Sequence, residues 1–311
     1  MLQFTAPAKI NLFLEVLGRR NDGYHELVTC MVPLAWGDTL QFTASSQLSL
    51  TCSDPSLPLD ENNLVLKAAL ALQQYSRTTA GASIHLEKRI PSPAGLGGGS
   101  SDAAATLRGL NQLWQLQLPV TELMNLAATL GSDVPFFLAG TAAWCRGRGE
   151  QVTPIELGCR LALLVVCPQV GLSTPAVYQA LQAPSLEVGL PQAVSEVTML
   201  EALRMKSPEN IARSLFNPLQ TSAEECLPLL RAVRELLEQA PSLGLCLGGL
   251  MSGSGSSYFA VCRDQVETQR LARWLVQSWE GGVQIESMGL TESKPGPTER
   301  RLRLCCTHTL T

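Results

Sequence analysis

The sequence predicts an α+β protein organised as two domains, and three observations predict it. The chain has 311 residues, 45% of them apolar, and at roughly 100–200 residues per domain that is enough for about two cores. Stretches that alternate apolar and polar residues are interleaved with Ala- and Leu-rich stretches of helical period, so strands and helices mix along the chain. The second half, with its extra helices set aside, runs β-α-β-β-α-β, the split βαβ or ferredoxin-like order.

In chain order, residues 10–17 place Ile10, Leu12, Leu14 and Val16 at period two and read as a strand. Short strands follow at 39–43 and 47–52. Residues 63–76 (NLVLKAALALQQYS) read as a helix and 83–90 (SIHLEKRI) as a strand. A glycine loop then feeds helices at 101–115 and 121–130, and 141–145 and 151–155 look extended. Pro154 and Gly158 break the pattern near 155–160. We therefore expect an N-terminal domain over 1–157, a C-terminal domain over 158–291, and a loosely held tail over 292–311. In the second half, 161–167 reads as a buried strand. Helices are expected at 174–182, 196–205, 208–215 and 222–239, and again at 264–279. Strands are expected at 245–250, 257–262 and 283–290. The Pro-rich, polar residues 183–195 read as a loop.

Composition removes several function classes. Charged residues make up 16% and the net charge is −4, so there is no basic excess for a nucleic-acid scaffold. A local basic pocket for a small anion stays open. The longest apolar run, LALLVVC over 161–167, is far short of the ~20 residues that span a bilayer. The mean hydropathy of +0.12 therefore reads as a rich core. The start, MLQFTAPAKINL, lacks the basic–apolar–small arrangement of a signal peptide. None of the ten cysteines has C-x-x-C spacing, and Cys30, Cys145, Cys167, Cys246 and Cys262 sit in apolar, strand-like stretches. They read as small buried hydrophobes in a reducing compartment. His25, His85 and His308 are too scattered for a zinc site.

The most informative segment is PSPAGLGGGSSDAAATL over 91–107, with four glycines in the five residues 95–99. It joins a strand pattern to a helix. Glycines let backbone N–H groups approach a ligand, and a helix N-terminus favours an anion, so the loop suits a di- or triphosphate. No lysine follows the glycines, which excludes the Walker A arrangement. A dinucleotide fingerprint would need glycine at position 100, which is Ser100, and an acidic residue near 115–119, where there is none. A ligand-free glycine turn would weaken folding without compensation. A second small-residue loop, LGGLMSGSGSSYFAV over 247–261, is either a hairpin turn or a cap on the phosphate from the other side.

Three further segments carry candidate chemistry. Lys9 opens a strongly apolar strand, so it either snorkels at an edge or is placed for an anion. Asp133 follows the helix break at Gly131 and Ser132, so it is either a helix cap or a reacting carboxylate. Tyr24 and His25 follow Asp22 and Gly23 in a turn that either presents them to a ligand or buries them.

Together and in this order, these segments resemble the GHMP kinase superfamily, whose phosphate loop has the form P-x-x-x-G-L-G-G-G-S-S. The fuller match is to its branch that acts on a cytidyl-diphosphate methylerythritol. The marks are PAKINLFL (7–14), R-x-D-G-Y-H (20–25), NLVLKA (63–68), PSPAGLGGGSSDAAA (91–105), LGSDVPFF (130–137), G-x-G-E (147–150), ST-x-x-VY (173–178) and MSGSGSS (251–257). The resemblance implies an N-terminal ribosomal-protein-S5-domain-2-like domain and a C-terminal ferredoxin-like domain. It implies an ATP-dependent kinase with Mg²⁺, using small-molecule substrates and neither nucleic acid nor membrane, in the cytoplasm, as a monomer or weak homodimer. By position, Asp133 would be the catalytic base and Lys9 its neighbouring cation. Asn11 would contact the acceptor, and Tyr24 and Tyr178 would clamp cytosine while His25 reads its edge. Pro93, Ala94, Gly95, Leu96, Gly97, Gly98, Gly99, Ser100 and Ser101 would hold the ATP phosphates, and Asn63 would lie near the adenine. Ser100 or Ser101 is the candidate Mg²⁺ ligand. Glu122 is a weaker one, 11 residues before Asp133 and on its face only if the helix continued. Competing expectations are a superfamily relative with mevalonate or homoserine as acceptor, and a nucleotide-binding regulator that has lost catalysis.

Overall fold

The computed structural model describes residues 1–181, 183, 196–286, 293–294 and 301–310. Its first half contains strands β1 (Leu2–Arg19), β2 (His25–Ser45) and β3 (Leu48–Cys52), helix α1 (Leu64–Ser76) and strand β4 (Gly81–Glu87). Helices α2 (Gly98–Leu113), α3 (Val120–Leu130) and α4 (Val134–Ala139) follow, then β5 (Ala143–Gly147) and β6 (Gln151–Pro154). The second half contains β7 (Ala162–Pro168) and helices α5 (Thr174–Ala180), α6 (Glu196–Arg204), α7 (Pro208–Arg213), α8 (Leu219–Cys226) and α9 (Leu229–Gln239). It closes with β8 (Gly248–Met251), β9 (Tyr258–Cys262), α10 (Gln265–Ser278), β10 (Val283–Glu286), β11 (Ser293–Lys294) and β12 (Leu302–His308).

Two sheets organise the chain. The first has the order β3-β4-β2-β5-β6 with β1 paired to β2, and the second the order β11-β10-β12-β7-β9-β8. Period-two alternation decides what each face meets. Val28, Cys30, Val32 and Leu34 of β2 share one core with Leu163, Val165 and Cys167 of β7 and with Phe259 and Val261 of β9. That core lies between the sheets, with α6 and α7 contributing Met199, Ala202 and Ile211. Leu164 and Val166 of β7 point the other way, into a core with α8, α9 and α10. Met31, Leu40 and Phe42 of β2 meet α1, α2 and α4 in a third core. The result is a layered α+β architecture in which both halves share a central core.

Several expectations change. The long β1–β2 hairpin extends well beyond the strands read at 10–17 and 39–43, because pairing along 2–42 is sustained through three register shifts. The single helix expected over 222–239 is two, since Pro228 stands at the N-cap of α9 and Leu227 closes α8. The strand expected at 245–250 begins at Gly248. The largest correction concerns the tail. Residues 302–308 are not loosely held: β12 runs between β10 and β7, parallel to the first and antiparallel to the second. It therefore takes the place beside β7 that the split βαβ order gives to the strand after α10, and β10 is moved one place outward. The Arg-rich approach to it (TERRLRLCC) hides an alternation in which Leu302, Leu304 and Cys306 are buried on one face and Cys305 on the other. The loop expected over 183–195 lies almost wholly outside the described residues, as do 287–290 of the strand expected at 283–290.

Seven cysteines (Cys30, Cys145, Cys167, Cys246, Cys262, Cys305 and Cys306) are buried. Burial pushes the Cys30, Cys246 and Cys262 thiols up to about 12, which suits apolar packing and not reactivity.

Candidate active site

A cleft of about 990 Å³ opens where β1, the glycine loop, the start of α4, the β5–β6 turn, α5 and the β8–β9 loop meet. β1 supplies its floor. Ala8, Ile10 and Leu12 point into the inter-sheet core, so Lys9 and Asn11 face the opposite side. The β1–β2 register shifts between Pro7 and Lys9, where Lys9 stands opposite Pro33. There Pro33 O accepts from the Leu310 N–H at 2.9 Å, and the Lys9 N–H donates to Leu96 O of the glycine loop at 3.0 Å. Sheet irregularity thus ties the strand to the loop.

Lys9 is 4% exposed, so it does not snorkel. Its ammonium donates to Asn11 Oδ1 at 2.7 Å and stands 3.6 Å from Asp133 Oδ2. Asn11 Nδ2 donates to Thr29 Oγ1 at 2.8 Å, and that hydroxyl donates to Phe13 O at 2.6 Å. Each polar atom in this buried chain has a partner, which fixes the ammonium's position. Asp133 occupies the N-cap position of α4, yet its side chain makes no capping hydrogen bond. The carboxylate turns to Lys9 and lines the cleft.

The glycine loop forms a second wall. Gly97 is the N-cap of α2 at φ +70°, with no side-chain cap on the helix, so first-turn N–H groups are left for an anion. A Cβ on Gly97 would lie 2.8 Å from the Phe137 ring, and one on Gly95, at φ +73°, 2.3 Å from Ser252 O. Both positions admit only glycine. The β8–β9 loop is more than a hairpin turn. Ser252 Oγ donates to Gly95 O at 3.0 Å, the Ser257 N–H to Ala94 O at 3.1 Å, and Gly253 and Ser254 line the cleft. Asn217 holds that loop by donating to Met251 O and Gly253 O at 2.9 and 2.8 Å.

Behind the loop lies a buried ionic cluster that sequence reasoning missed. Lys88 bridges Asp38 and Asp102, reaching Asp102 Oδ2 at 3.0 Å, and Asp38 also accepts from the Ile90 N–H at 2.8 Å. Burial pushes the Asp102 carboxyl up to about 7 against the pull of Lys88. Its partners are 14 to 52 residues apart in sequence, a separation that carries no local signal.

The far end is aromatic. The His25 and Tyr178 rings are 5.0 Å apart, and Tyr24 is 52% exposed at the rim, so it is not a core residue. Burial, helped by the Arg19 charge, holds the His25 imidazole below its ordinary 6.5. Burial and the charge of Asp133 push the Tyr178 phenol up, leaving it neutral.

Of the expected site residues, Lys9, Asn11, Tyr24, His25, Pro93, Ala94, Gly95, Gly97, Gly98, Gly99, Ser100, Asp133 and Tyr178 line this one cleft. Three do not. Asn63 caps α1, accepting from the Val65 N–H at 2.9 Å and donating to Pro58 O at 2.8 Å, and Leu64 lines the cleft in its place. The Leu96 side chain is 1% exposed in the inter-sheet core. Ser101 is also 1% exposed and is not part of the cleft lining. Glu122 is corrected: it accepts from the Tyr75 hydroxyl at 2.9 Å, away from the cleft, because Gly131, extended at φ 173°, ends α3 before Asp133. Thr29, Ser252, Arg19 and Arg148 complete the surroundings and were missed. Arg148 lay inside a motif that sequence reading had singled out. Ser252 lay inside another, the MSGSGSS loop, and Thr29 and Arg19 carried no signal.

Comparison with known proteins gives a consistent picture. The family model for the GHMP kinases N terminal domain matches residues 63–141, and that for GHMP kinases C terminal matches 199–280. A 4-diphosphocytidyl-2-C-methyl-D-erythritol kinase of Synechococcus sp. (strain CC9605) is 42% identical, with 92% of this chain and 100% of that protein covered. One of Alcanivorax borkumensis is 37% identical over 91% of this chain and 89% of its own. A crystal structure of a 4-(cytidine 5'-diphospho)-2C-methyl-D-erythritol kinase matches with TM-score 0.74 at 33% identity, each chain covered completely.

Proposed function

This chain belongs to the 4-diphosphocytidyl-2-C-methyl-D-erythritol kinases within the GHMP kinases, and from that premise we propose how its cleft transfers phosphate. The reaction moves the γ-phosphoryl group of ATP to the 2-hydroxyl of 4-diphosphocytidyl-2-C-methyl-D-erythritol. It yields ADP and the 2-phosphate, in the non-mevalonate route to isoprenoid precursors. The observation that carries the reading is the Lys9–Asp133 pair, 3.6 Å apart, between an anion-binding loop and an aromatic end.

Phosphoryl transfer depends mainly on alignment and charge neutralisation. The α2 N-terminus and the loop over 95–100 hold the triphosphate. Tyr24, His25 and Tyr178 hold the base, so the methylerythritol unit lies over Lys9 and Asp133. The acceptor hydroxyl is tertiary and a poor nucleophile at neutral pH. Asp133 accepts its hydrogen bond and takes its proton as the O–P bond forms. Lys9, held by Asn11, pairs with Asp133 and balances negative charge on the transferring group.

Among the described residues, no three His, Cys, Asp or Glu side chains gather as a metal cage. The hard hydroxyl oxygen of Ser100 in the cleft lining fits Mg²⁺ arriving with ATP, held mostly by phosphate oxygens and water. On this chain the Ser100 hydroxyl at the cleft wall would hold it. Bound there, the ion would neutralise charge on the β- and γ-phosphates.

Among the described residues no helix is long and apolar enough to cross a membrane. We infer a cytoplasmic enzyme working as a monomer or weak homodimer.

The test is ADP release with Mg·ATP and the cytidyl acceptor, with mevalonate and homoserine alongside. ADP from the cytidyl acceptor alone is expected. Turnover on another alcohol instead would sink the substrate assignment.

A further inference from the structure

We propose that Arg148 is a specificity-determining residue: its guanidinium grips the acceptor's diphosphate and fixes which face of Tyr24 the base stacks on. The inference rests on the function proposed above and adds a subsite to it. Arg148 sits in the turn between β5 and β6, its N–H donating to Glu150 Oε2 at 2.7 Å. The next residue, Gly149, lies against the reacting carboxylate, since a Cβ there would stand 3.6 Å from Asp133 Oδ1. In the other direction the Arg148 guanidinium carbon is 4.6 Å from the centre of the Tyr24 ring. From Asp133 to Tyr24 the cleft wall therefore runs through Gly149 and Arg148. The acceptor has the same order, for its diphosphate joins the cytidine at one end to the reacting polyol at the other.

The guanidinium is also available. Among the described residues, its carboxylate contact is a long one, 3.9 Å to Glu150 Oε2. Its side chain is 27% exposed and lines the cleft. Guanidinium carries five N–H donors in a fork that matches phosphate oxygens. Lys9 is already engaged by Asn11 and Asp133, and Arg19 stands opposite His25 across the β1–β2 hairpin. Stacked on one face of Tyr24, Arg148 leaves only the opposite face open for the base. It also holds the ring steady at a rim where Tyr24 is 52% exposed.

The experiment compares wild type, Arg148→Met and Arg148→Lys. Cytidine and CDP are titrated by calorimetry, and KM is measured for the acceptor and for ATP. Wild type should bind CDP more tightly than cytidine. Arg148→Met should lose about tenfold or more of that preference, the scale of hydrogen bonds to a charged group, and raise the acceptor KM by a similar factor. The KM for ATP should stay within about twofold, and Arg148→Lys should recover part of the loss. An unchanged preference for CDP over cytidine in Arg148→Met overturns the proposal. So does an equal rise in both KM values, which would place Arg148 at the ATP phosphates or in the fold. If wild type turns over the acceptor and only these ratios fail, this subsite alone is wrong. If wild type releases no ADP with the acceptor, the parent reading falls and takes the subsite with it.

Discussion

Replacing Asp133 by Asn tests the reacting pair most directly, because it keeps the volume and removes the charge. The structural cost can be bounded. At 3.6 Å and an effective dielectric of about 20, the Lys9–Asp133 attraction has a ceiling of about 5 kcal/mol. The Asp133 side chain is 33% exposed, so solvent screening brings the net contribution down to about 1–2 kcal/mol. For a protein of this size that is a melting shift of about 1.5–3 °C, and Lys9 keeps its bond to Asn11. The catalytic cost should be far larger. A positioned base contributes about 10²–10⁴-fold, so turnover should fall at least ~100-fold while ATP affinity is retained. The assay is coupled ADP release under saturating Mg·ATP, with a thermal melt and an ATP titration on the same preparation. Lys9→Met and the double variant complete the cycle. If the pair acts on one transition state, the double variant should lose little more than the worse single one. Turnover of Asp133→Asn within tenfold of wild type would remove Asp133 from the mechanism. Losses that multiply in the double variant would mean that Lys9 and Asp133 act independently.

Tyr24→Ala should raise the acceptor KM about 5- to 100-fold, the scale of one base–aromatic stack, without moving the ATP KM. Equal weakening of both in steady-state kinetics would deny Tyr24 a place on the base. His25 is held below its ordinary 6.5, so it is neutral at pH 7. The acceptor KM should be flat between pH 7 and 8 and rise only as pH falls below about 6.5. By the same sign, stability gained from a neutral His25 is fully present above 6.5 and is lost as pH falls through its depressed folded value. A KM profile that His25→Gln leaves unchanged in acid would assign the titration elsewhere. Deleting residues 301–311 should abolish folding, because it removes β12 from between β10 and β7 together with the buried Leu302, Leu304, Cys305 and Cys306. A soluble deletion variant with a cooperative melt would contradict the sheet order.

Much of the site was legible because its chemistry is local in sequence. Glycines at 95 and 97–99 before a helix announce an anion site from backbone geometry alone. An aspartate after a helix break and a lysine opening an apolar strand stand out because each departs from its surroundings. Where sequence misled, it was through ambiguity between capping and catalysis. Asn63 and Asp133 both sit at helix starts. Asn63 spends its side chain on the Val65 N–H, and Asp133 spends none on its helix and turns to Lys9. Residue type and position do not distinguish these two cases.

By itself, the sequence determined the α+β class, the strand and helix types of most segments, the glycine loop and most of the residues that meet in the cleft. Hydrophobic period and glycine placement are properties of short stretches, and they express themselves wherever the stretch folds. The tertiary structure decided three other things. It put β12 into the middle of the second sheet, the Lys88 cluster behind the glycine loop, and Arg148 between Tyr24 and Asp133. Each depends on which distant segments pack side by side. That choice is settled by burying three cores at once, a collective requirement that no single stretch of the chain records.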